Sequence, residues 1–552
     1  FLEFVPQIPN ALKVLNDFTK IAPTVLGITK PLAYLITTLD YGEIRPAGGF
    51  QGQVAILGID GGHIGKVALQ DIYQLETPHS GTSSPPYNFP FTPDESWWTN
   101  YGLAYNIRNS GLSPDFPTSA QLTLNYLHAL QLCKVPLVTP VPGTDKYGCP
   151  YNHGSSIYYP EGNHIPIVDA KTGKVTGYQS TPTAMGGEIA IQQSVINQLL
   201  TYTGPLQIGC PYNVSVDSTN LQQKIHYYQE TDAGRLIGKN TCGDQSSDAT
   251  KRFTSLVAKS LIDKIKKIKK SDLSHFLGDL LNDLKTHDIQ IYLADPASKI
   301  FAPYAEGESF LNHYQASGQV YTGTEDSLMM NQANFAGDKV NLYLPMQLVD
   351  NINIDKKGTA THNLTINYKF NLPTITYDPR KNVVDSFGRY QLASNVALYN
   401  VIFNAVYGKD YAEYRRIYLP QNAQLLEGAT GFAAGTGDGN PFAQTYPAQI
   451  GTDVTGLKVF GGLYDYRFEA VDNGSGTSGT IRSFAPDQVQ NPTMNWYVPQ
   501  VVKGGTYTLH LQRQSGVTLT EDITITSACS SKPLHVAGPV TTDMVITYQT
   551  GC

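Results

Sequence analysis

Thr506-Tyr507-Thr508-Leu509-His510-Leu511 is followed, after Gln-Arg-Gln-Ser-Gly, by Val517-Thr518-Leu519-Thr520-Glu521-Asp522-Ile523-Thr524-Ile525. In both runs apolar and polar residues alternate, the period of a strand with one buried face. Thr365–Phe370, Leu457–Tyr466, Asn495–Val498 and Thr542–Tyr548 read the same way, and Gly, Asn and Asp turns separate them. One short helix near 389–407 interrupts the series. Short alternating strands divided by turns predict a mostly antiparallel β-sandwich over 341–552.

Upstream the pattern is mixed. Residues 1–30 read as an irregular lead-in or interface segment. Leu32–Leu39 and 53–59 are apolar, β-prone runs. Asp60-Gly61-Gly62-His63 is a hairpin turn, and Ile64–Leu69 reads as the returning strand. A helix is expected at about 118–131, a strand at Gly187–Ile191 and a short helix at Gln192–Leu200. Phe253, Leu256, Val257, Leu261, Ile265 and Ile268 recur at helical spacing over 250–270. Ser271 is placed to cap a second helix over 272–285. Asp288–Leu293 reads as a strand. The region 31–340 is therefore expected to be an α/β domain, a mixed sheet with helices. It carries a Gly/Pro/Tyr-rich insertion at 133–180.

Composition narrows the function. The 552 residues imply two or more domains. Charged residues make up only 15% of the chain, and 39 basic against 46 acidic side chains give a net charge of −7. With no basic excess, a nucleic-acid surface is not expected. No run of 18 apolar residues is long enough to span a bilayer as a helix. The opening Phe1-Leu2-Glu3-Phe4-Val5-Pro6 lacks a basic segment and does not read as a signal peptide.

Six cysteines stand at Cys133, Cys149, Cys210, Cys242, Cys529 and Cys552. No C-x-x-C points to zinc or redox work. An even count in successive pairs reads as disulfides, hence an oxidising extracellular compartment. We expect the local pairing Cys133–Cys149, Cys210–Cys242 and Cys529–Cys552, because each closes a turn-rich loop with little apolar surface of its own. The rival arrangement joins Cys133 to Cys242 and Cys149 to Cys210.

Several N-terminal segments carry a recognisable pattern: Glu43-Ile44-Arg45-Pro46-Ala47-Gly48-Gly49-Phe50, Asp60-Gly61-Gly62, Leu69-Gln70-Asp71-Ile72-Tyr73, Asn106-Ile107-Arg108-Asn109 and Ser113-Pro114-Asp115-Phe116-Pro117. They resemble the bacterial domain-of-unknown-function 4012 family, DUF4012, and the likeness continues through Asp326, Asn334, Tyr414–Pro420 and Trp496–Pro499. It covers roughly 30–510. The resemblance implies a protein outside the cytoplasm, in a family usually tethered by an N-terminal membrane helix that is absent from this sequence. The position after Arg108, commonly Asp in that pattern, is Asn109.

Arg45, Asp71, Arg108 and Asp115 are the candidate anion or metal cluster. Two arginines can grip a phosphate, and two carboxylates can hold a divalent cation. The same four can equally be a buried salt-bridge network. Gly48-Gly49 fits no nucleotide fingerprint. Trp97-Trp98, on a Pro/Ser/Thr-rich loop, can serve an interface or a glycan. His226, Tyr227 and Tyr228 read as polar aromatic surface able to stack on sugar, and Lys264–Lys270 as a solvated helix face. Asn213, Asn363 and Asn473 begin N-glycosylation sequons.

Three functions follow. The first is a secreted or cell-surface structural protein, a self-assembling envelope, sheath or appendage subunit whose partners are copies of itself or envelope components. It needs no cofactor, and low charge makes its interfaces easy to desolvate. The second is an extracellular transferase-like enzyme that binds polyprenyl pyrophosphate or a glycan, with a divalent cation at the Arg/Asp cluster. The third is a glycan-binding module.

Overall fold

The computed structural model describes residues 23–72, 107–132, 163–180, 185–294, 321–368, 411–426, 449–466, 470–472, 479–481 and 493–552, apart from 24, 66, 68, 170, 231, 241, 243–250, 266, 270, 335–338 and 454–455. Five expectations lie outside these residues: the lead-in before 23, Trp97 and Trp98, the Cys133–Cys149 pair, the helix near 389–407 and the sequon at Asn473.

The N-terminal region is built on a mixed sheet. Its order is Ile289–Leu293, Gly187–Gln192, Leu32–Asp40, Phe50–Asp60 and His63–Ile64, with Gln70–Asp71 also beside Phe50–Asp60. Leu32–Asp40 runs parallel to Gly187–Gln192, and the other pairs are antiparallel. The strand expected at Ile64–Leu69 is cut to two short bridges, because Gly65 bonds back to Gly58 and the chain pairs again only at Gln70. Leu35, Val54, Ile56, Tyr126 and Leu127 form one core, placing the helix Phe116–Leu132 against the sheet. The insertion contributes a hairpin, Asn163–Val168 with Val175–Ser180, that lies against Phe50–Asp60.

A helical lobe follows, with helices Gln193–Thr203, Leu221–Glu230, Asp232–Gly238, Arg252–Ile265 and Leu273–Lys285. Tyr212, Tyr227, Tyr228 and Phe253 are buried here, with ring centroids 4.6–5.1 Å apart. This corrects the surface reading of Tyr227 and Tyr228, whose rings are core. Cys210–Cys242 closes the lobe with Cα atoms 6.1 Å apart. Lys264 leaves the solvated face to donate to the carbonyls of Thr203 and Pro205. Ser271 caps no helix. Its hydroxyl bonds Asp272, which precedes Leu273–Lys285 in helical conformation without a capping bond.

Most of the remaining strands form a two-sheet sandwich, while Leu206–Ile208 with Val214–Val216 and Ala470–Asp472 with Gly479–Ile481 stand as separate hairpins. The first sheet is ordered Gln449–Thr452, Lys458–Tyr466, Tyr411–Leu419, Asp326–Asn334, Thr506–Gln512 and Val502–Lys503, with Met544–Gln549 on the other side of Thr506–Gln512. The second is ordered Gln424–Leu425, Thr493–Val498, Ala360–Tyr368, Met346–Ile354, Leu519–Ser527 and Ser530–Pro539. Asp326–Asn334, ahead of the change of character expected at about 341, is a central strand of the first sheet. Most pairs are antiparallel, with one parallel pair in each sheet. The cause is two arches. Asp326–Asn334 crosses to Met346–Ile354, and Thr506–Gln512 crosses to Leu519–Ser527. The arches lie side by side in the same direction. Tyr507, Leu509, Leu511, Leu519, Ile523 and Ile525 all point into the shared core, as their alternation requires.

Candidate functional site

Arg45 follows the strand Leu32–Asp40 on the loop that turns into Phe50–Asp60. It is buried, and its guanidinium pairs with Glu43 at 2.6 Å and donates to the Asn334 carbonyl at 2.5 Å. Lys339 joins the group from 294 positions away, 3.1 Å from Glu43 and 2.9 Å from Asp40. Glu43, which the sequence reading did not nominate, is therefore the carboxylate that Arg45 grips.

The loop backbone is held as tightly. Five successive carbonyls, Ile44 to Gly48, accept hydrogen bonds from both halves of the molecule. Asn334 N–H donates to Ile44, Gln514 to Arg45, Asn331 to Pro46, Gln290 to Ala47 and Gln192 to Gly48. Gln192 and Gln290 come from the N-terminal sheet, and the other donors from the sandwich. Gly48 is required here: its φ is 116°, and a Cβ would stand 2.6 Å from Ser515 Oγ. Nearby, Arg416 reaches from the sandwich to the Leu112 carbonyl at 2.7 Å. The loop is a joint between the N-terminal sheet and the sandwich.

Asp115 has a local task. Its carboxylate accepts from Thr118 N at 3.1 Å and Thr118 Oγ1 at 2.6 Å, capping Phe116–Leu132. This capping starts the helix two residues earlier than its apolar pattern suggests. Asp71 is buried on the short strand beside Gln53, and Arg108 is half-buried in the turn Ile107–Asn109. Among the described residues no group of three His, Cys, Asp or Glu is arranged to hold a metal ion.

A second polar group lies inside the sandwich; the sequence pointed to Asp326 and Trp496 only through the family resemblance and gave the group no role. His362 Nδ1 is 2.7 Å from Asp350 Oδ2, and Nε2 is 2.9 Å from Asp326 Oδ2. Tyr507 donates to the same Asp326 oxygen at 2.8 Å. The Trp496 ring stacks on the imidazole, 4.3 Å between centroids and 11° between planes. His362, Asp326, Asp350, Tyr507 and Trp496 are all 0% exposed. Burial alone would lower the His362 pKa, but the two carboxylates outweigh it and push it up to about 10. Burial pushes the Tyr507 hydroxyl well above its usual range, and Asp326 adds to this. The side chains of the group are sealed from solvent. The signal that marks it in the sequence is a polar residue on the apolar phase of a strand, as with Asp350 between Leu348 and Ile352.

Above this layer, on the outer face of the same sheet, is a groove of about 350 Å³. Asn351, Asn353, Thr361, Asn363, Asn495, Thr524 and Thr526 line it, with Ile352 and His362 in its floor. Asn363 donates to Asn495 Oδ1 at 2.5 Å.

No curated protein and no solved structure matches the chain. One family model does, over residues 30–139, a stretch that holds Arg45, Asp71, Arg108, Asp115 and the joint loop. That family is described as "Protein of unknown function (DUF4012)", and through this stretch the chain is similar to it.

Proposed function

We propose that the protein is a secreted or cell-surface structural protein of a bacterium, a subunit that assembles with copies of itself or with other envelope components. The observation that carries this reading is the joint loop. The Arg45 segment, the most distinctive in the chain, has its guanidinium and five carbonyls engaged with the protein itself. A transferase gripping pyrophosphate needs that arginine turned toward a substrate, and Asp115 free for a cation. Here one holds Glu43 and the other caps a helix. Two disulfides suit an oxidising compartment, and low charge suits broad interfaces.

The test is electron microscopy of the secreted protein, with fractionation of the cells that make it. Ordered arrays or fibres that contain the chain are expected at the cell surface. Monodisperse monomers at high concentration, with no array on cells, would sink the reading.

A further inference from the structure

Two rows of outward side chains cross the second sheet of the sandwich. In the first, His535, Thr524, Asn351, Asn363 and Asn495 are successive cross-strand partners over five strands. In the second, two residues along, Thr526, Asn353, Thr361, Tyr497 and Gln424 are partners over five strands. Seven of these ten residues line the groove of about 350 Å³. Strand spacing sets neighbours in a row about 4.8 Å apart, and the rows about 6.7 Å apart.

We propose that this face binds a neutral polysaccharide chain. Asn and Thr both donate and accept, which matches a polymer whose every unit presents hydroxyls of the same dual kind. Neither row contains Lys, Arg, Asp or Glu. Among the described residues the charges around it lie at the margins: Asp522 paired with His535 at 2.8 Å on one flank, and Asp355, Lys356 and Lys357 in the turn at one end. An acidic polymer would need cations along its path, and a protein partner's core would want apolar and aromatic residues. Tyr497, half-buried at the edge and hydroxyl-bonded to Gln424, is the one aromatic in the two rows. The donors stand on regular strands over a stacked Trp496–His362 layer, which keeps their spacing fixed. The inference goes beyond the assembly role, since a monomer carries the whole face.

The test is affinity electrophoresis of the full chain, disulfides intact, in gels containing xyloglucan, galactomannan or hydroxyethyl cellulose, with alginate and hyaluronan as acidic comparators. At least one neutral polymer should retard it, and equally at high salt. Asn351→Arg and Thr524→Arg, both at outward positions, should each weaken retardation about 10-fold or more. Their melting midpoints should stay close to that of the parent chain. Retardation by none of the neutral polymers, retardation by acidic ones alone, or equal retardation of both variants overturns the proposal. So does a sizing profile in which the face is occupied by a second copy and Asn351→Arg releases monomer. Failure of binding leaves the assembly test untouched, because that test reads arrays and this one reads mobility.

Discussion

His362 Nδ1 stands 2.7 Å from Asp350 Oδ2 while its Nε2 faces Asp326 at 2.9 Å, so both ring nitrogens meet carboxylate oxygens. A carboxylate only accepts, so both nitrogens must carry protons and the ring is an imidazolium. Removing it leaves two carboxylates buried against each other. His362→Asn should cost about 3–5 kcal/mol in urea unfolding at neutral pH. A loss under 1 kcal/mol would mean that the carboxylates are protonated or hydrated without it.

The same histidine sets a pH limit. Its folded pKa of about 10 lies above the ordinary 6.5, so the folded state holds the proton more tightly. Its contribution is complete below 6.5 and is lost as pH rises toward 10. The urea midpoint of the parent chain should fall over that window. The fall should be shallower in a chain carrying Asp326→Asn and Asp350→Asn, where the histidine loses its reason to charge.

Glu188 acts at lower pH. It is fully buried on Gly187–Gln192, and burial lifts its carboxyl from 4.5 to about 8 against the opposing hydrogen bonds of Thr37 and Thr123. The folded state therefore favours the protonated acid. Stability is full below 4.5 and declines as pH rises through 8. Glu188→Gln keeps the shape without the ionisation. It should match the parent near pH 4.5 and exceed it by about 1 kcal/mol or more above pH 8. Parallel pH profiles for the two chains would refute the assignment.

The alternation of Tyr507, Leu509 and Leu511 made the sandwich legible, because period two follows from strand geometry alone. The arches were not legible, since parallel pairing between strands some 180 residues apart leaves no local mark. Arg45 was visible as a residue with chemistry, but its partners were not. Glu43 is two residues away, yet Lys339 and Asn334 are brought in only by the fold. The Asn/Thr rows have the same history. Asn351 and Asn353 read as outward on their own strand, and cross-strand register alone aligns them with Asn363 and Thr361. Tyr227 and Tyr228 misled because the packing of Tyr212 and Phe253 over them is tertiary.

The joint loop makes a prediction about cooperativity. Arg45→Met removes a buried cation from Glu43 and from the Asn334 carbonyl. Lys339 remains to hold Glu43, so the loss should be about 3 kcal/mol, at the low end for a broken buried pair. Hydrogen exchange should rise in both Leu32–Asp40 and Asp326–Asn334, because the loop ties one to the other. Exchange that rises on one side alone would show that the loop is held by that side only.

A disulfide joins Cys529 to Cys552, with Cα atoms 5.3 Å apart. Cys529 precedes Ser530–Pro539, the edge strand of the second sheet, and Cys552 follows Met544–Gln549, at the margin of the first. The bond therefore joins the two sheets at their open side. There Ser530–Pro539 alternates half-buried and exposed residues and buries little of its own. The sequence separation is 23, for which the chain-entropy model gives roughly 3.5 kcal/mol. Cys529→Ser with Cys552→Ser should lower stability by about 2–4 kcal/mol. Amide protection should fall first in Ser530–Pro539 and Met544–Gln549, while Ala360–Tyr368 in the sheet interior keeps its own. Non-reducing peptide mapping of the parent chain should recover 529 linked to 552 and 210 linked to 242. A uniform loss of protection across both sheets would mean that the bond holds the whole sandwich together. Full protection of the two edge strands would mean that their backbone pairing needs no staple.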